Sequence, residues 1–210
     1  VFENSLNEII DMCPNHISSY SLGIEKGTPL YDSVSSGVKK DVDEDDLADK
    51  YELADRLLRE NGYSWYEISN WAKPGYDSKH NLSYWRGVDV IALGCASHGY
   101  TNSQRVATPR DINRYIAKFS GDISQSKFDE LFTLIKENDN IDSKMENFAL
   151  KLRTKQGIYW PGAKLIAPVV SLIDEGFCEY DSESSIISLT LKGRLLAHSI
   201  TLSLYESYQL

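Results

Sequence analysis

Between Tyr63 and Trp85 the chain passes in quick succession from an alternating apolar stretch to a polar turn and then to an aromatic-rich segment. Tyr63 to Ile68 reads as a strand, Ser69 to Gly75 supplies turn residues, and Lys79 to Trp85 reads as a short helix. A core segment does not place Glu67, Lys73, His80 and Arg86 among so many aromatic rings. Folds that alternate strands and helices do, because they gather polar side chains just outside the carboxyl ends of their strands. This unit therefore constrains the chain to an α/β class more tightly than any other part of it.

The flanking pattern agrees. Phe2, Leu6, Ile9 and Ile10 fall on one helical face, and His16 to Leu22 alternates as a strand between Pro14 and Gly23. Asp43 is placed to cap a helix whose apolar face is Leu47, Tyr51, Ala54, Leu57 and Leu58, with Asn61-Gly62 ending it. Asp89 to Gly94 reads as a third, buried strand. Strand–helix alternation predicts a parallel sheet with helices outside. From Pro109 onward helical patterns dominate: 109–119, 127–136, 141–152 and 163–175, the last broken or kinked at Pro168. A hairpin over 177–180 and 186–189 and a closing helix over 192–208 complete a small winged-helix-type unit. The expected division is 1–105 and 106–210.

The net charge of -9 argues against a nucleic-acid partner held on a broad basic face. No apolar run is long enough to span a bilayer. The cysteines, Cys13, Cys95 and Cys178, are three isolated residues with no CxxC, which reads as buried thiols in a reducing, cytoplasmic setting. The chain opens without Met inside a helical pattern, so it is expected to be part of a longer protein.

On a helix, His80 and Tyr84 are i, i+4 neighbours, as are Asn81 and Trp85. An imidazole flanked by flat rings suits an axial ligand of haem iron and walls for its macrocycle; the plainer alternative is a helix that packs its Tyr and Trp into the core. His98 could line a cofactor pocket or bond to its own loop. Glu25 could meet a ligand amine or stand solvated, and Gly94 would let backbone approach a ligand. Cys95 is read as an inert thiol, His16 as a structural histidine, and the Asp41 to Asp46 run as a solvated helix start, not a metal site.

These residues carry a resemblance. Ser21 to Pro29, Tyr66-Glu67-Ile68-Ser69-Asn70-Trp71-Ala72-Lys73-Pro74-Gly75, His80-Asn81-Leu82-Ser83-Tyr84-Trp85, Leu152-Arg153-Thr154 with Gly157, and Thr190 to Ala197 resemble, in order and spacing, the radical SAM family that contains oxygen-independent coproporphyrinogen III oxidase and the heme chaperones. The chaperone branch is the better match.

The resemblance implies the last strands of a partial (β/α) barrel over 1–105, then the family's mainly helical, winged-helix-like domain. It implies heme binding through His80, Asn81, Tyr84 and Trp85, with heme-accepting respiratory enzymes as partners. It places Glu25, Gly94, Ala96 and His98 near S-adenosylmethionine. The family's CxxxCxxC motif for a 4Fe–4S cluster is not in this sequence, so the cluster and S-adenosylmethionine are expected only where the missing half is present. Two activities stay open: heme delivery, or radical decarboxylation of coproporphyrinogen III in porphyrin biosynthesis. A third reading is partner binding through the winged-helix-like end alone. The open barrel edge implies a homodimer.

Overall fold

The computed structural model describes residues 1–101, 104–120, 143–161 and 165–208. Its first part is built on α1 (Phe2–Asp11), β1 (His16–Ser18), α2 (Pro29–Ser35), α3 (Glu44–Glu60), β2 (Ser64–Glu67) and β3 (Asn70–Ala72). Asp43 caps α3 as its sequence requires, its carboxylate accepting from the N–H groups of Asp45 and Asp46. The apolar stripe of α3 buries Ala54 and Leu58 against Leu6, Ile10, Ile17, Tyr63 and Trp71. Trp71 and Leu58 are wholly enclosed.

The sheet differs from the parallel one the alternation predicts. β1 and β2 run in the same direction but are not neighbours; β3 lies between them, antiparallel to both. The segment read as a polar turn folds straight back because Asn70, Trp71 and Ala72 are all buried, and the reversal is confined to Ile68 and Ser69. Asp89 to Gly94 does not form a strand either. Val90 makes one isolated bridge to Tyr100, while Ile91 and Leu93 stay exposed; apolar character alone does not give a strand a partner.

The missed elements had local signals. Thr28 caps α2 with Pro29 in the first turn. His98 opens β4 (His98–Thr101), hairpinned to β5 (Gln104–Ala107), so the expected domain boundary falls inside β5. Between the two parts of the chain lies α4 (Lys79–Trp85), and α5 (Ile112–Phe119) follows the hairpin. The helix expected over 127–136 lies outside the described residues.

The C-terminal part consists of α6 (Ser143–Leu152), β6 (Ile158–Tyr159), α7 (Ala167–Asp174), β7 (Cys178–Asp181), β8 (Ile186–Leu189), α8 (Leu191–Leu195) and α9 (Ala197–Tyr208). The predicted hairpin is β7–β8, with β6 added on the far side of β8. Pro168 starts α7 rather than kinking it, where its missing N–H costs nothing. The closing helix is two helices, interrupted at Leu196. Leu152, Val169, Ile187 and Leu204 form the enclosed centre of this second core. The expectation of buried thiols holds for Cys178 only; Cys13 is exposed and Cys95 half-buried.

Candidate functional site

Helix α4 is short and held at both ends. Ser78 caps it through Oγ, which accepts from Asn81 N at 3.3 Å, and Gly87 leaves it with φ +64°. The four residues singled out on it divide between two faces. His80 is exposed and meets the edge of Tyr84, ring centroids 5.0 Å apart at 85°. Asn81 and Trp85 turn inward. Asn81 Nδ2 donates to the Tyr66 hydroxyl at 3.3 Å, and that hydroxyl lies 2.8 Å from His16 Nε2. Trp85 packs beneath the Arg153 guanidinium, which lies 4.6 Å from its ring centroid.

Arg153 leads to the most polar part of the interior. Its Nη2 lies 3.3 Å from Oε2 of Glu67, a carboxylate with no solvent exposure. Glu67 Oε1 accepts from Ser69 N at 2.7 Å and from the Asn70 amide, and Asn70 Oδ1 accepts from Ser18. Lys155 N donates to Tyr66 O at 3.0 Å, and Thr154 bridges Glu67. A buried carboxylate is retained only where donors surround it, and here the donors come from two sequence motifs, Ser69 and Asn70 from one and Arg153 from the other. Those motifs therefore define a seam between the sheet and α6 as much as a ligand site.

A second seam was not anticipated. Asp55 is buried on the inner face of α3, where its Oδ1 accepts from Arg194 Nη1 and Nη2, each at 3.0 Å, and from Trp71 Nε1 at 3.0 Å. The Arg194 guanidinium lies over Trp65 at 4.3 Å and donates to the Tyr51 hydroxyl at 3.2 Å. Burial pushes the Tyr51 hydroxyl far above its ordinary pKa. A signal was available: Asp55 sits beside Ala54 and between Tyr51 and Leu58, so an acid interrupts an otherwise apolar stripe.

The residues expected near S-adenosylmethionine are placed as follows. Gly94 has φ +97° and Ala96 φ +58°, so the turn is left-handed at two points. Gly94 O accepts from Ser97 Oγ at 2.8 Å and from Thr108 Oγ1, while Gly94 N donates to the Tyr115 hydroxyl at 3.1 Å. Cys95 Sγ donates to Arg110 O at 2.9 Å. The turn is thus shaped by the residues after β5, not by a strand before it. His98 is exposed at the start of β4. Glu25 is exposed in the loop before α2, its carbonyl accepting from Thr28 Oγ1 at 2.7 Å. Among the described residues no group of three or more His, Cys, Asp or Glu is placed to hold a metal ion. The three thiols are exposed, carbonyl-bonded and core-buried respectively. They do not fit an iron–sulfur cluster.

No family model matches the chain. Among curated proteins it is 32% identical over 205 residues to the heme chaperone HemW of Mycobacterium tuberculosis, a match that covers 95% of this chain and 50% of that protein. It is 44% identical over 94 residues to HemW of Escherichia coli, covering 45% of this chain and 24% of that protein. The solved coproporphyrinogen III oxidase HemN of Escherichia coli, described as a radical SAM enzyme, superposes with a TM-score of 0.58 at 13% identity, over 96% of this chain and 50% of that one. That likeness shows the fold: the C-terminal part of a partial radical SAM barrel followed by the mainly helical unit, with no closed barrel among the described residues. The chain spans about half the length of the curated relatives it matches over most of its own length. By these matches the chain is similar, over most of its own length, to the C-terminal half of proteins named heme chaperone HemW, and in fold to half of a radical SAM coproporphyrinogen III oxidase.

Proposed function

We propose that this chain carries the heme-handling portion of a HemW-type heme chaperone, which binds heme and passes it to heme-requiring respiratory enzymes. The observation that carries the reading is the presentation of His80. Its imidazole is exposed and braced by the edge of Tyr84, on a helix whose opposite face is fastened by Asn81 to Tyr66 and by Trp85 to Arg153. A ligand histidine needs that combination of access and fixed backbone. In this reading His80 supplies a nitrogen to iron, Tyr84 orients the ring, and Asn81 and Trp85 hold the helix.

Several finer expectations belong to the same proposal. Glu25, Gly94, Ala96 and His98 would face S-adenosylmethionine, which would be bound together with a 4Fe–4S cluster by residues this sequence does not contain. The chain would divide near residue 105 into a barrel-derived and a helical unit. It would work in the cytoplasm; no helix among the described residues is long and apolar enough to cross a membrane. The outer edges of β1 and β2 would favour a homodimer, an expectation that a sharp monomer by light scattering at high concentration removes.

The alternative is an oxygen-independent coproporphyrinogen III dehydrogenase, favoured by the likeness of fold to HemN. Heme titration followed at the Soret band, with His80→Ala beside the wild-type chain, tests the chaperone reading. Saturable binding lost in the variant supports it. Decarboxylation of coproporphyrinogen III by a protein carrying the cluster half would replace it with the enzyme.

A further inference from the structure

A concave surface lies between α6, β6 and α9, along the face of α6 that carries Lys144 and Lys151. It encloses about 510 Å3, a volume within the range of small-molecule sites (roughly 300–1,000 Å3). From α6 it receives Lys144, Asn147, Phe148 and Lys151, which stand at i, i+3, i+4 and i+7 and so share one face. At 1.5 Å per residue the two lysines are spaced by about 10 Å along the helix. Phe148 lies between them, its ring centroid 5.2 Å from that of Tyr208, which in turn lies 5.5 Å from Trp160. Tyr159 brings a largely exposed ring from β6.

We propose that this groove holds a porphyrin by its flat face and its carboxylates. The aromatic floor accepts the macrocycle by stacking, and Lys144 and Lys151 pair with the two carboxylate arms. The inference rests on the heme reading above and adds a second point of contact to it. Held in this way, the ligand is recognised by its ring and its acids rather than by its iron. A porphyrin without metal therefore binds here as heme does, which coordination by His80 alone does not allow.

The experiment titrates metal-free protoporphyrin IX, by fluorescence, and heme, by absorbance, into four forms of the chain. These are the wild type, His80→Ala, the pair Lys144→Glu with Lys151→Glu, and a control pair of exposed lysines reversed elsewhere, Lys39→Glu with Lys40→Glu. The expected result is metal-free binding equal in wild type, His80→Ala and the control, and weakened roughly tenfold or more in the Lys144/Lys151 pair. Tyr159→Ala, an exposed residue whose loss leaves the core intact, weakens it as well. Metal-free binding unchanged in the Lys144/Lys151 pair overturns the groove. So does heme binding through His80 with no metal-free binding, and in both cases the chaperone reading survives. If the wild type binds neither porphyrin, the groove and the heme reading both fall for this chain. Near-UV circular dichroism of each variant confirms that its tertiary packing is retained.

Discussion

Arg194, from the short helix after the C-terminal hairpin, places both terminal nitrogens 3.0 Å from a single oxygen of Asp55 on α3. Both residues are buried. Arg59 Nε lies 2.9 Å from the other oxygen of Asp55, but its N–H is aligned on the Asp55 carbonyl at 3.4 Å. Arg59 is also well exposed, so it cannot take over the role of Arg194. Removing one partner of such a pair leaves an uncompensated charge in the interior, at a cost of about 3–5 kcal/mol. Asp55→Leu and Arg194→Met should each lower unfolding stability by that order in urea titrations. The double variant should recover part of the loss but not all, because Trp71 Nε1 then lacks its acceptor. Equal and additive losses would show that the two residues act independently.

How legible this was in the sequence depended on whether a feature is local. The α3 cap, the β7–β8 hairpin and the split of α4 into His80/Tyr84 and Asn81/Trp85 follow from spacing alone, and the structure has each of them. The order of the first sheet is not local. Whether β2 pairs with β1 or folds back through β3 is decided by where Trp71 finds its core, among residues as distant as Leu6 and Leu58. The two arginine seams join residues 86 and 139 positions apart, so motif resemblance marked Glu67, Arg153 and Arg194 without revealing what they touch, and it did not mark Asp55 at all. Gly157 and Gly193 were visible only as motif letters. A Cβ at Gly157 would lie 2.2 Å from Ile187 O, and one at Gly193 1.9 Å from Phe177 O; these glycines are there for packing.

The His16–Tyr66 contact predicts a dependence of stability on pH. The Tyr66 hydroxyl accepts from Asn81 Nδ2 and from the Ser78 backbone, so its own proton is directed at His16 Nε2 and the neutral imidazole carries its proton on Nδ1. Burial lowers the His16 pKa below its ordinary 6.5, against the opposing pull of Asp77 and Glu67. The unfolded chain therefore binds the proton first as pH falls. Stability from this group is complete above about pH 6.5, declines as pH falls toward the lowered folded value, and is flat below it. Urea midpoints between pH 7.5 and 5 should show the decline, and His16→Gln should lose that part of it. A variant with the wild-type slope assigns the dependence to other groups.

The three thiols should separate by rate in a modification experiment. Cys13 is exposed, just beyond the C-terminal end of α1, and reacts at once with an aromatic disulfide reagent. Cys178 is buried at the start of β7, and loss of solvent pushes its thiol pKa up to about 11. At pH 8 only about one thiol in a thousand would then be thiolate, the form that attacks. Burial slows it further, because the reagent reaches Cys178 only when the C-terminal core opens. Cys95, half-buried with Sγ directed at the Pro109 and Arg110 carbonyls, falls between them. In native buffer the expected course is one fast phase, one slower phase and a third thiol seen only on adding denaturant. Since that last rate follows opening of the core around Leu152, Val169 and Leu204, Arg194→Met should quicken it if the Asp55 seam anchors the C-terminal unit. An unchanged Cys178 rate in a variant whose global stability has fallen would mean that this core opens on its own, without parting from α3.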